Sequence, residues 1–280
     1  MDWYKTKNIL IFVLIILNLT IFTVFWRTNT QYRIIKNQTY DNIIKILGTN
    51  NIRLDKKIIP DYPEAFTSRY IERAVSDNAP FIIKLLDGSY THDTKNNIYK
   101  SDGKTFSVQK DTFDYSNTSP DNPPKEMTEK YIDDYCIKKM KLMGLDYKLY
   151  SFDGLNYNGD KLKAIFTPVI GDYKFFDSYI SFEICDKGIT SISGKNLILS
   201  KTASGISSPV YDLSNVLLDL CSNSSLNKSQ INKIVSISLG YYVGNVEDIY
   251  SNVLAIPVWQ FAFESGTILY YDARNGKFLP

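Results

Sequence analysis

The chain has 280 residues, with 32 lysines and arginines against 30 aspartates and glutamates, for a formal net charge of +2. Near-neutral charge of mixed sign excludes the basic footprint that nucleic-acid binding needs. One histidine and three cysteines, far apart and without a CxxC, supply neither a zinc site nor a thioredoxin-like motif.

Met1 to Asn8 is short and polar, and Ile9 to Trp26 is an apolar run broken by Asn18. About 18 helical residues reach roughly 27 Å, close to the roughly 30 Å hydrocarbon core of a bilayer. A cleaved signal peptide has an apolar run of about 7–15 residues and then small residues at the cleavage site. This run is longer and ends in Thr23-Val24-Phe25-Trp26-Arg27, so an uncleaved transmembrane anchor is expected. Trp3 and Trp26 bracket it, as aromatic residues do at the two interfaces. No cysteine follows the run to take a lipid. Lys5 and Lys7 precede the span, and Arg27, Arg33 and Lys36 follow it, so the positive-inside rule gives no clean orientation. The tiny tail favours a cytoplasmic N-terminus (1–8) and an extracytoplasmic remainder behind the anchor (9–26).

The remainder suffices for one large domain or two modest ones. Thr28 to Leu47 reads as a helix continuing from the span and ended by Gly48. Asn51 to Ile59 reads as a strand stopped by Pro60 and Pro63, and Ala79 to Leu86 as a short apolar strand turning at Asp87-Gly88. Ile98 to Val108 carries a hairpin signal around Asp102-Gly103. Asp111 to Lys125, with Pro120, Pro123 and Pro124, is the best linker, dividing an N-terminal α+β region (27–125) from a C-terminal region (126–280).

Glu126 to Gly144 is the clearest soluble helix. Thr128 can cap it, Tyr131, Ile132, Tyr135, Cys136, Met140 and Met143 recur at helical steps, and Gly144 stops it. The period then changes to two. Tyr147–Phe152, Lys161–Val169, Tyr179–Cys185 and Ile189–Ile192 read as an antiparallel meander, with turns at Asn158-Gly159 and Asp186-Lys187-Gly188. A second helix over Leu213–Cys221, capped by Asp212 or Ser214, precedes a β-rich run to Val243. A hairpin, Leu254–Phe263 and Thr267–Asp272, turns through Glu264-Ser265-Gly266. Helix then strands occurs twice, so the expected class is α+β: antiparallel β-sheets with helices packed on one face.

Few residues offer chemistry. His92 sits in a polar turn region without a nucleophile signature and reads as a solvated loop residue. Asp153 to Asp160 resembles a cation loop in composition, but with Gly159 in the sixth place Gly154 falls at position one, so it reads as a hairpin turn. Asp133 and Asp134 are adjacent on a helix and point apart. The cysteines read as small buried apolar residues, with one disulfide plus a free thiol as the alternative. No phosphate-binding glycine loop occurs. No catalytic residue, cofactor, metal or small-molecule substrate is expected. Asn18 is the exception: at 100° per residue it shares a face with Ile11, Phe22 and Phe25. Such amides in membranes bond their own backbone or a neighbouring helix, the latter worth about 1 kcal/mol or less.

Met1-Asp2-Trp3-x-Lys5-x-Lys7-x-Ile9-Leu-Ile-Phe, followed by Leu17-Asn18-Leu19, resembles the start of YycI-type proteins. Leu47-x-x-x-Asn51-Ile52, Ile59-Pro60-x-x-Pro63, Leu239-Gly240-Tyr241, Ala255-x-Pro257-x-Trp259 and Tyr270-Tyr271-x-Ala273-x-x-Gly276 are similar to the same family. The last hairpin also resembles PepSY-like modules. The stretch of about Thr91 to Lys125 carries no pattern of the family. The resemblance implies a non-enzymatic, membrane-anchored regulator of the WalK–WalR cell-wall two-component system of Gram-positive bacteria. It would act with a related protein, YycH, on the sensor histidine kinase, partly through membrane-helix contacts. The competing readings are a PepSY-type extracytoplasmic inhibitor or chaperone of a peptidase, and a hydrolase built from scattered carboxylates.

Overall fold

The computed structural model describes residues 3–73, 83–109, 111–158, 161–227, 229–244 and 252–280. Two compact units emerge, each assembled from separate stretches of chain. The first holds residues 1–59, 212–236 and 263–267, and the second holds the rest.

The first unit is organised by α1 (Trp3–Thr49), one unbroken helix of 47 residues. Near its C-terminal end Tyr40, Ile43 and Leu47 are buried, a stripe at three- and four-residue steps. It packs on α3 (Leu213–Asp219), whose Leu213, Val216 and Leu217 are buried. Asp212 starts α3 by accepting the backbone N–H of Ser214 at 2.8 Å. Beside them β1 (Ile52–Arg53) pairs in parallel with the start of β13 (Asn232–Tyr242), Ile52 opposite Asn232. The strand expected over Asn51–Ile59 stops after two residues. The Asp55 carboxylate accepts the N–H of Lys57 at 2.9 Å and starts a 3-10 turn over Lys56–Ile58.

The second unit carries two sheets. The larger has nine described strands: β3 (Thr91–Asp93), β4 (Ile98–Ser101), β5 (Lys104–Gln109), β6 (Thr112–Asn117), β7 (Tyr150–Asn158), β8 (Lys161–Ile170), β9 (Tyr173–Lys174), β10 (Tyr179–Cys185) and β11 (Gly188–Lys195). Their spatial order is β3-β4-β5-β6-β11-β10-β8-β7, with β9 paired to β8. Its registers align one row across eight strands: His92, Tyr99, Phe106, Tyr115, Ile192, Phe182, Ala164 and Leu155. All but the two terminal members of the row are buried. The helix α2 (Glu129–Met143) joins this core through Ile132, Tyr135, Cys136, Met140 and Met143. Gly144, at φ 86°, ends it with its N–H bonded to the Lys141 carbonyl at 3.0 Å. Thr128 occupies the cap position, but its side chain makes no cap hydrogen bond.

In the other sheet β2 (Ala65–Arg73) pairs antiparallel with β12 (Ile198–Pro209) and with β14 (Asn252–Phe263). β14 continues to β15 (Ile268–Asp272), and β15 to β16 (Phe278–Leu279). Phe66, Ile71, Phe175, Tyr241, Val253 and Ala255 form its core. Trp259 is fully buried, stands edge-on to Tyr62 at 4.9 Å, and donates its indole N–H to the Tyr211 carbonyl at 3.3 Å.

The chain is therefore α+β, with antiparallel sheets and α2 on one face, as expected. Several local expectations need correction. The linker over Asp111–Lys125 begins with β6, held between β5 and β11 because Phe113 and Tyr115 alternate into the core. Of the strand expected over Ala79–Leu86, 79–82 lies outside the described residues, and Ile83–Leu85 is helical. The Gly88 N–H closes that turn on the Ile83 carbonyl at 3.0 Å, with Asp87 and Gly88 both at positive φ. The strand expected from Tyr147 begins at Tyr150, after a 3-10 turn that Asp146 nucleates. His92 lies on β3 instead of in a turn, exposed and stacked 4.0 Å from the Tyr99 ring. Of the Asn158-Gly159 turn, Gly159 lies outside the described residues. The strands β2 and β12 were not expected at all. Cys136 is buried, whereas Cys185 and Cys221 are half-buried; all three are free thiols.

Candidate functional site

The span Leu10–Arg27 is the one helical segment, among the described residues, long and apolar enough to cross a membrane. A long helix exposing apolar residues on every side has no core to face and needs lipid or a partner helix instead. Ile11, Phe22 and Phe25 are 45%, 58% and 69% exposed. Asn18, Phe22 and Phe25 line one shallow concavity together with Ile15, Leu19 and Ile21. Ile11 lies two turns before Asn18, outside that concavity, although it shares the helix face. Ile15, Leu19 and Ile21 were missed; an offset of three residues from Asn18 was the signal for Ile15 and Ile21, whereas Leu19, one residue on, carried none.

The Asn18 amide donates to the Leu14 carbonyl at 2.9 Å. Thr20 and Thr23 donate to Ile16 and Thr20 carbonyls at 2.7 and 2.8 Å. An asparagine side chain carries two N–H donors and an acceptor oxygen. Bonding its own turn therefore uses one of the three hydrogen-bonding elements of Asn18 and leaves capacity for a neighbouring helix.

Several ionisable groups elsewhere are committed to the fold. The Asp177 carboxylate accepts the backbone N–H groups of Val243 at 3.0 Å and Gly244 at 2.7 Å, and the Asn196 amide at 3.2 Å. Burial raises its pKa above the ordinary carboxylate range, opposed by those backbone N–H groups. Asn196 also accepts from buried Arg73 at 3.4 Å. The Asp272 carboxylate accepts the Arg274 guanidinium at 2.7 Å and the Arg274 backbone N–H at 2.8 Å, holding the turn into β16. Asp153 pairs with Lys174 at 2.5 Å and accepts the Thr167 hydroxyl. Asp133 has a raised pKa from partial burial, then from its neighbours Asp134 and Glu129. Burial also pushes up the Cys136 thiol, which lowers its thiolate fraction. No group of three or more His, Cys, Asp or Glu among the described residues is placed to hold a metal ion.

The model of the family described as YycI protein matches residues 30–274. The chain belongs to the YycI family. That match covers the folded part and begins after the apolar span, so it is independent of the helix that first suggested an anchor. YycI proteins are regulatory, and membership places this chain in the WalK system. No curated protein sequence matches the chain. Among solved structures, an uncharacterized protein from Eubacterium rectale is similar at TM-score 0.53 and 11% identity, over 78% of this chain and 86% of that one. That likeness concerns the fold alone. The Bacillus megaterium YpeB C-terminal domain matches at TM-score 0.38 and 10% identity, over 74% of this chain and 96% of that one.

Proposed function

We propose that this YycI protein is a non-enzymatic regulator that binds a WalK-like sensor histidine kinase through its membrane helix and its extracytoplasmic part, alongside a YycH-like protein. The observation that carries this reading is α1 itself. One helix runs from the apolar span to the buried stripe of Tyr40, Ile43 and Leu47. The 22 residues from 28 to 49 extend it about 33 Å beyond the span. A continuous hydrogen-bonded helix transmits rotation or translation without a soft joint. Its N-terminus is cytoplasmic, and Ile11, Asn18, Phe22 and Phe25 form the face presented to the partner helix.

Crosslinking from position 18 in cells tests the contact, with a histidine kinase as the expected product. Exchange of residues 9–26 for an unrelated apolar helix is expected to weaken kinase association while anchoring persists. Asn18→Leu is expected to weaken association by up to about fivefold, given about 1 kcal/mol for such a bond. Unchanged kinase association and signalling after the helix exchange overturns the role of the span.

A further inference from the structure

A groove of about 530 Å³ lies at the hairpin end of the larger sheet, within the roughly 300–1,000 Å³ range of small-ligand sites. Its walls come from the segment entering β3 and from the β4–β5 turn, including Ser89, Tyr90, Lys100, Ser101, Lys104 and Thr105. We infer that this groove is a binding site for an uncharged carbohydrate, recognised by its hydroxyl groups.

The composition of the lining selects that class by elimination. An apolar ligand fits poorly against walls in which Tyr90 is the one large ring. An anion would need free positive charge. Lys104 already pairs with Asp87, Asp102 stands in the same lining, and Lys100, paired across the hairpin with Thr105, projects from the face opposite to Lys104. A cation would need more than the single carboxylate of Asp102. What remains is a balanced set of donors and acceptors. Ser89 and Ser101 make no side-chain hydrogen bond among the described residues and can each donate one and accept two, whereas Thr105 projects from the opposite face of the hairpin to Ser101. Tyr90 adds a half-buried ring, set edge-on to Tyr99 at 5.4 Å. Such a ring suits the apolar side of a sugar while its hydroxyl stays polar.

The groove is also preformed. The Gly103 carbonyl accepts both the backbone N–H of Thr118 at 3.0 Å and its hydroxyl at 3.1 Å. Gly103 has φ +72°, and a Cβ there would lie 2.8 Å from the Thr118 hydroxyl oxygen. On the other wall Thr91 donates to the Lys100 carbonyl at 3.4 Å. A turn pinned from two sides loses little conformational entropy on binding. Sugar binding does not rest on the kinase-binding reading, so either can fail while the other stands.

The test uses the full chain in lipid nanodiscs, free of glycoside detergents, with chitotetraose and maltotetraose as probes and inorganic phosphate as competitor. Saturation-transfer NMR and calorimetry should show saturable, millimolar-range binding of at least one oligosaccharide, indifferent to phosphate. The double variant Ser89→Ala/Ser101→Ala should bind about tenfold or more weakly. Ser107→Ala, on β5 and outside the groove lining, should bind as the unaltered chain does. Absence of saturable binding to either sugar overturns the inference, as does equal binding by the double variant. Displacement by phosphate also overturns it, because that marks an anion site.

Discussion

Trp259 and Asp177 show how single residues hold this protein together. Trp259 is fully buried on β14 and spends its indole N–H on the Tyr211 carbonyl, so its replacement opens a large cavity and strands an acceptor. Trp259→Ala is expected to cost about 3–5 kcal/mol, read as a shift in the urea midpoint. The Trp259 motif drew attention in the sequence as a family resemblance, and the structure accounts for it as packing. Asp177 carries a pH signature. Its native pKa is raised by burial, so the folded state holds the proton more tightly than the unfolded chain does. Its contribution to stability is therefore greatest in acid. It falls as pH rises above the unfolded value of about 3.9 and levels off beyond the native one. Urea midpoints measured across that window should show this component in the wild type and lose it in Asp177→Asn; identical pH slopes for the two proteins would remove the assignment.

The decisive element is α1. Its stripe of Tyr40, Ile43 and Leu47 fixes its C-terminal part in the first unit, while its N-terminal part is apolar all round. Helical hydrogen bonding between those parts is the mechanical link. Proline in a helix interior costs about 3 kcal/mol and kinks it. Gln38→Pro, on the exposed side between span and stripe, is expected to leave membrane anchoring and the second unit intact while kinase regulation is lost. Kinase output together with protease resistance of the folded part would read both. The long elements were legible from sequence because their periods are strong: α1, α2, β8, β10 and the β14–β15 hairpin stand close to where hydrophobic spacing put them. β2 was hidden because Ser68 and Arg73 occupy buried positions, so its polar residues break the alternation that marks a strand. β12 was hidden by a serine-rich sequence interrupted by Gly205 and by three register shifts against β2. β6 was masked by the prolines that follow it, although Phe113 and Tyr115 already carried the period of two.

At the scale of the molecule, the second unit joins two cores at a single step in the chain. Leu197 belongs to the core under α2 and the next residue, Ile198, to the core around Phe66 and Tyr241. Asn196, at φ 45°, makes the turn that lets consecutive side chains serve both. Leu197→Ala and Ile198→Ala should each lower one shared unfolding transition by about 2–5 kcal/mol. Two resolved calorimetric transitions in the second unit, each moved by only one of the variants, would mean the cores fold independently.

By itself the sequence determined the membrane-length helix, the α+β class and the family, because apolar run length, spacing and ordered motifs are properties of the linear chain. Only the tertiary structure decided what the ionisable and hydroxyl groups do. Asp177 and Val243 are 66 residues apart, and the hydroxyls of Ser89 and Ser101 come from the segment before β3 and from the end of β4. Groups that distant meet only when sheet register brings them together, and no local pattern encodes that meeting.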